Sequence, residues 1–132
     1  MIENAQKILI VCFANYCRSP VAEIILSSLF KDKSFSSAGI KPMPQANMDQ
    51  RSSDFLNTRN YKLKIHNPRR INKELIKDND LILAMDSLVL FQLNKEFKNL
   101  SNKFKIFNHH DTKINLHDPF KMEDENYFKI ID

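Results

Sequence analysis

Cys12-Phe13-Ala14-Asn15-Tyr16-Cys17-Arg18-Ser19-Pro20 is the stretch on which the reading of this chain turns. It follows an apolar run, Ile8 to Val11, and precedes a helical pattern, Val21 to Phe30. A thiol and an arginine at this spacing, bent around a strand-to-helix turn, form a cradle for a phosphate with a nucleophile at its base. A loop that opens a helix presents unpaired N–H groups, and the helix dipole adds positive charge at the same place. Successive amides in such a turn converge on an anion. Arg18 offers a planar fork able to hold two phosphate oxygens at once, and the same field favours the thiolate form of Cys12. Asn15 is a residue type that tolerates left-handed backbone. Ser19 suits two jobs: capping the helix, with Pro20 at its first position, and hydrogen-bonding the Cys12 sulfur. The bland alternative is a buried core thiol beside a surface arginine. The strand before the loop and the Ser-Pro helix start after it favour a cysteine-dependent phosphatase instead.

Outward from the loop, strand-length apolar runs alternate with helical patterns, which predicts an α/β architecture. Ile8 to Cys12 reads as the first strand. In the next helix Val21, Ile24, Ile25 and Leu29 share one face. Ser34 to Ala38 reads as a second strand, ended by Gly39, the only glycine. Lys41 to Asn47, with Pro42 and Pro44, is a predicted loop. Asp49 to Asn60 and Ile71 to Lys77 are predicted helices, and Leu81 to Met85 a buried strand. Asp86 or Ser87 caps a helix reaching about Phe97. Lys103 to Phe107 is the fourth predicted strand, His109 to Pro119 a loop, and Glu123 to Asp132 a closing helix. Parallel sheets place ligands at the carboxyl ends of their strands, where Cys12 falls.

A phosphate monoester has a poor leaving group, so this chemistry needs a proton donor opposite the nucleophile. The candidate is Asp118, in Leu116-His117-Asp118-Pro119-Phe120. Pro119 stiffens the position and Phe120 suits the wall of a slot for a flat aromatic group. An ordinary surface Asp-Pro turn is the alternative.

With 132 residues and 42% hydrophobic content, the chain suits a single domain with a real core, 1–132. No stretch approaches a membrane span, and Met1 to Lys7 does not read as a secretory leader. Two cysteines in such a chain suit a reducing, cytoplasmic setting. The net charge of +4 is modest. The denser basic stretch from Lys62 to Lys77, with Arg69, Arg70 and Lys73, lacks the aromatic interleaving of a nucleic-acid surface. It reads as a solvated face, with a weaker role in attracting anionic substrates.

The chain resembles the low-molecular-weight protein tyrosine phosphatases. The likeness rests on Val11 through Pro20 with Ala22-Glu23, on Ser36-Ser37-Ala38-Gly39, on Asp80-Leu81-Ile82-Leu83-Ala84-Met85-Asp86 and on Asp118-Pro119-Phe120. It implies a three-layer α/β/α fold with a four-stranded parallel twisted sheet, and no metal or organic cofactor. It implies Cys12 as nucleophile, Arg18 as phosphate-binding arginine and Asp118 as general acid. Phe13, Ala14, Asn15, Tyr16, Cys17, Ser19 and Phe120 would contact phosphate or substrate. Asn15, Ser19, Ser37 and His66 would form a bracing network, with an unremarked structural histidine as the alternative for His66. The implied partner is a phosphotyrosine protein, with a tyrosine autokinase of polysaccharide export as one source, and neither nucleic acid nor membrane. Cys17 reads either as a resolving thiol for Cys12 or as a small residue packed behind the loop.

Three departures stand out. Ala14 replaces the usual glycine, which would cost about 1–3 kcal/mol if the backbone there needed positive φ and would favour a binding relative with weak turnover. Lys41 to Met48 lacks an aromatic wall residue, leaving Met43 or Met48 to line the slot. The last helix is short, which leaves Ile130 and Ile131 less covered. Arsenate reductases of this fold relay through cysteines late in the chain, and none follows Cys17. A metal site from His109, His110, Asp111, His117 and Asp118 lacks a recognised ligand spacing.

Overall fold

The computed structural model describes residues 4–44 and 47–107. Asp118, Phe120, the histidine-rich loop and the closing helix therefore lie outside the described residues. Four strands, β1 (Lys7–Cys12), β2 (Ser34–Gly39), β3 (Leu81–Ala84) and β4 (Phe104–Ile106), form one parallel sheet in the order β2-β1-β3-β4. Among the described residues four helices accompany them, α1 (Arg18–Leu29), α2 (Gln50–Thr58), α3 (Lys73–Asp78) and α4 (Ser87–Glu96), with a 3-10 turn at Lys98–Lys103.

The period-2 alternation of β1 divides the core. Ile8, Ile10 and Cys12 pack with Val21, Ile25 and Leu26 of α1 and Phe55 and Leu56 of α2. Leu9 and Val11 face the other way, onto Ile76 of α3 and Val89 and Leu93 of α4. Both faces of a parallel sheet are covered, so β1 and β3 read as unbroken apolar runs. The chain leaves β1 for β2 on one side, then crosses back to β3 on the other. That reversal opens a crevice at the carboxyl ends of β1 and β3, the place where open parallel sheets bind ligands. Cys12 ends β1, and Asp86 lies just past the end of β3.

Several boundaries differ from the sequence reading for local reasons. α1 begins at Arg18, with Cys17 at its N-cap and no side-chain cap bond. The capping role expected of Ser19 is therefore corrected: its hydroxyl serves the Cys12 sulfur instead. Pro20 is the third helical residue, still in the turn where a missing N–H costs nothing. Ile71 is not helical. Its N–H binds the Gly39 carbonyl, extending the edge of β2, and Asn72 starts α3 by accepting the Leu75 N–H at 2.9 Å. Asp86 does the same for α4 at the Val89 N–H, 2.9 Å. Among the described residues no helix is long and apolar enough to cross a membrane.

Candidate active site

The loop after β1 is held from outside, carbonyl by carbonyl. Cys12 O accepts from Ile40 N–H, Phe13 O from Lys41 N–H, Ala14 O from Met43 N–H, Asn15 O from His66 Nε2, and Tyr16 O from Asp49 N–H. In a trans peptide the C=O and the following N–H point opposite ways. Pinning five successive carbonyls outward therefore turns the amides of residues 13 to 17 toward the inside of the loop. Asn15 N–H shows the result, reaching the Cys12 Sγ at 3.2 Å. The Pro-rich segment 40–44 and the start of α2, which carry no catalytic signature, form the belt that aims the amides.

Asn15 is the keystone, fully buried and at φ 51°, in the left-handed region. Its side-chain orientation follows from its partners. The Arg69 backbone N–H can only donate, so the oxygen facing it at 2.9 Å is Oδ1. Nδ2 then donates to Ser19 Oγ at 2.9 Å and to Ser37 Oγ at 3.0 Å. Ser37 Oγ–H in turn donates to Glu23 Oε1 at 2.6 Å. Ser19 Oγ, an acceptor from Asn15, keeps its own O–H for Cys12 Sγ at 2.9 Å, to which it donates when the sulfur is a thiolate. A carbonyl oxygen can only accept, so His66 Nε2, 2.7 Å from Asn15 O, carries the proton. The sulfur thus faces two donors, an arrangement suited to negative charge.

Ala14 is not among the positive-φ residues, so the strain conditional on its backbone does not arise. Gly39 supplies the space instead. A Cβ there would stand 2.8 Å from the Phe13 carbonyl oxygen and 2.9 Å from Asn15 N. The only glycine of the chain sits where the loop crosses the end of β2, and no side chain fits between them.

Arg18 Nη1 donates to Asp86 Oδ2 at 2.8 Å, linking the starts of α1 and α4 across the top of the sheet. Partial burial pushes the Asp86 carboxyl up, but the Val89 N–H and the Arg18 guanidinium outweigh it, so its pKa lies below the ordinary value. Cys12, Phe13, Ala14, Cys17 and Arg18 line a cleft of about 420 Å³ whose other wall is Asp86, Leu88, Val89, Phe91 and Gln92. Met43 and Met48 are not among its lining residues. Cys12 and Cys17 are both buried in the same loop and are not joined by a disulfide.

Sequence reasoning placed Cys12, Arg18, Asn15, Ser19, Ser37 and His66 in one site, and the structure brings them together. It missed Glu23 as the terminus of the network, Asp86 as the Arg18 partner and Arg69 as a brace. The residues were in view, a glutamate within the mostly apolar α1, an aspartate just past a buried strand and a dense basic run, but only the fold shows what they bind. That run is not simply solvated. Lys64 pairs with the buried Glu23, Arg69 Nε donates to the Ser37 carbonyl, and Arg70 grips Glu96 with two bonds. Among the described residues no cluster of His, Cys, Asp or Glu is placed to hold a metal ion.

This is a cysteine-based phosphate site on a doubly covered parallel sheet. The profile of the low molecular weight phosphotyrosine protein phosphatases matches residues 7–132, and the chain belongs to that family. It is 29% identical over 115 residues to the probable low molecular weight protein-tyrosine-phosphatase AmsI of Erwinia amylovora, covering 87% of this chain and 80% of the relative. It is 30% identical to the phosphatase Wzb of Salmonella typhi, covering 87% of this chain and 77% of that one. The crystal structure of the Erwinia AmsI superposes with a TM-score of 0.82 at 27% identity, over 96% of this chain and 83% of that one. Wzb of Escherichia coli K30 in complex with sulphate also gives 0.82, at 28% identity, over 93% and 86%.

Proposed function

We propose that the chain hydrolyses phosphotyrosine in proteins, and aryl phosphates generally, through a cysteinyl-phosphate intermediate. The observation that carries this reading is the Cys12 sulfur held by the Asn15 N–H and the Ser19 hydroxyl inside a loop whose carbonyls from Cys12 to Tyr16 are tied outward. The Cys12 thiolate attacks phosphorus in line with the phenolic oxygen. The loop amides and the Arg18 fork bind the equatorial oxygens as negative charge shifts in the transition state. Asp118 protonates the departing phenolate, so the P–O bond breaks without releasing a free anion. Water then attacks phosphorus, giving its proton to the same aspartate while the S–P bond breaks, so the Cys12 thiolate is regenerated and inorganic phosphate is released.

Asp86 holds the guanidinium at the cleft wall, and phosphate engages Arg18 from the cleft side. The proposed substrate is a phosphotyrosine protein, such as a tyrosine autokinase, in the cytoplasm, and no cofactor takes part. Steady-state turnover of p-nitrophenyl phosphate and of a phosphotyrosine peptide, with inhibition by vanadate, tests the proposal. Cys12→Ser is expected to lower turnover more than about a thousandfold while retaining phosphate binding. Asp118→Asn is expected to slow phenol esters more than the activated nitrophenyl ester. Wild-type turnover by the Cys12→Ser variant would overturn the reading.

A further inference from the structure

Six large apolar side chains are exposed among the described residues, and three of them, Phe13, Leu88 and Phe91, line the cleft that holds Cys12 and Arg18. Their exposures are 52%, 73% and 62%. Clustering of this kind on a soluble surface marks a contact site rather than scatter. Leu88 and Phe91 stand three residues apart on α4 and so share one face of the helix. The core-facing side of the same helix is already supplied by Val89 and Leu93, so Leu88 and Phe91 are surplus to folding. The only other exposed wall residue of this helix in the cleft, Gln92, is uncharged, and the one carboxylate among the described lining residues, Asp86, is engaged by Arg18.

We propose that Leu88 and Phe91, continued by Phe13, form a shelf that receives a bulky apolar residue next to the phosphotyrosine of the substrate. This rests on the phosphotyrosine reading above and adds a sequence preference to it. The reach is right. Asp86, which touches Arg18, caps α4; at a rise of about 1.5 Å per residue, Leu88 and Phe91 lie roughly 3 and 7.5 Å further along its axis. With the phosphate on Arg18 the tyrosyl ring carries the peptide backbone outward along this wall, past Leu88 and level with Phe91. Because neighbouring residues of an extended peptide lie about 3.8 Å apart, the adjacent residue or two pass over the outer part of this face. An aliphatic or aromatic side chain there leaves water against Leu88 and Phe91, whereas a serine or aspartate gains nothing from an uncharged wall.

The test uses two phosphotyrosine peptides of equal length, one with Leu on both sides of the phosphotyrosine and one with Ser. Each kcat/KM is normalised to the same enzyme's p-nitrophenyl phosphate turnover, which has no flanking residue. The wild type is expected to prefer the Leu peptide about tenfold, mainly through KM. In the double variant Leu88→Ser, Phe91→Ser the ratio is expected to fall close to one. Both positions are mostly exposed, so little core is lost, and the single variants give intermediate ratios. A wild type that hydrolyses both peptides equally overturns the shelf and leaves the phosphatase reading standing. So does a preference that survives the double substitution. Light scattering adds a further arm: a wild-type dimer that the double variant converts to monomer would assign the face to a second copy and overturn the proposal. Failure to hydrolyse p-nitrophenyl phosphate at all would instead strike the phosphatase reading on which the shelf rests.

Discussion

The two walls of the cleft are built by opposite rules. The loop wall, residues 12 to 19, is braced from behind by buried polar groups whose partners are fixed: Asn15, Ser37, Glu23 and His66. Among the described residues no buried side-chain nitrogen or oxygen lacks a partner. The α4 wall is the reverse, with Leu88 and Phe91 in solvent and few bonds to constrain them. Phosphate is the same in every substrate, so the wall that binds it can be rigid and preorganised. The residues around a phosphotyrosine vary, and on the proposal above it is the α4 wall, not the braced loop, that meets them.

The sharpest way to break this contrast is Gly39→Ala. The added Cβ meets Phe13 O at 2.8 Å and both N and Cβ of Asn15 at 2.9 Å, so the loop itself must shift. Turnover is expected to fall at least about a hundredfold and stability by about 3 kcal/mol, the upper end for overpacking, read by steady-state kinetics and urea unfolding. Asn15→Ala comes next. It strips two hydroxyls and an amide of their partner and places a Cβ-bearing residue without a compensating side chain at positive φ. A stability loss of about 3 kcal/mol and a clear fall in kcat are expected, with Asn15→Asp unable to restore the donor to Ser19 and Ser37.

Asp86→Asn probes the seam between the walls. The pair is partly exposed, so its removal is expected to cost only about 1 kcal/mol at neutral pH. The sign of its pH dependence follows from the lowered folded-state pKa of Asp86. The unfolded chain takes up the proton first, so the stabilisation is present above the ordinary carboxylate value near 3.8 and is lost as pH falls through the lower folded value. The gap in Tm between wild type and variant should therefore shrink as pH is lowered past that range. Asp80, whose carboxylate accepts the Gln6 and Lys7 amides, titrates in the same direction and remains in both proteins. At the outer wall Phe91→Ser is expected to change stability by no more than about 0.5 kcal/mol. A large loss there would show that α4 is as constrained as the loop.

Much of this was legible in the chain. The alternation of apolar runs with helical periods announced a parallel sheet, and the thiol–arginine spacing between a strand and a helix announced the site. The helix cap was misplaced because a serine before a proline satisfies two rules at once, and sequence cannot say which hydrogen bond wins. Arg69 and Glu23 were overlooked because a basic run and a lone glutamate carry no period or spacing that separates a brace from a solvated charge.

Local chemistry written along a dozen residues decided that Cys12 and Arg18 would share a loop, because a strand end and a helix start impose that turn on any chain that carries them. The tertiary fold alone decided that Ile40, Lys41, Met43, Asp49 and His66 would tie the loop's carbonyls outward, and that Asp86 would meet Arg18. Those partners lie tens of residues away, and only packing around the sheet brings their donors and acceptors within bonding distance.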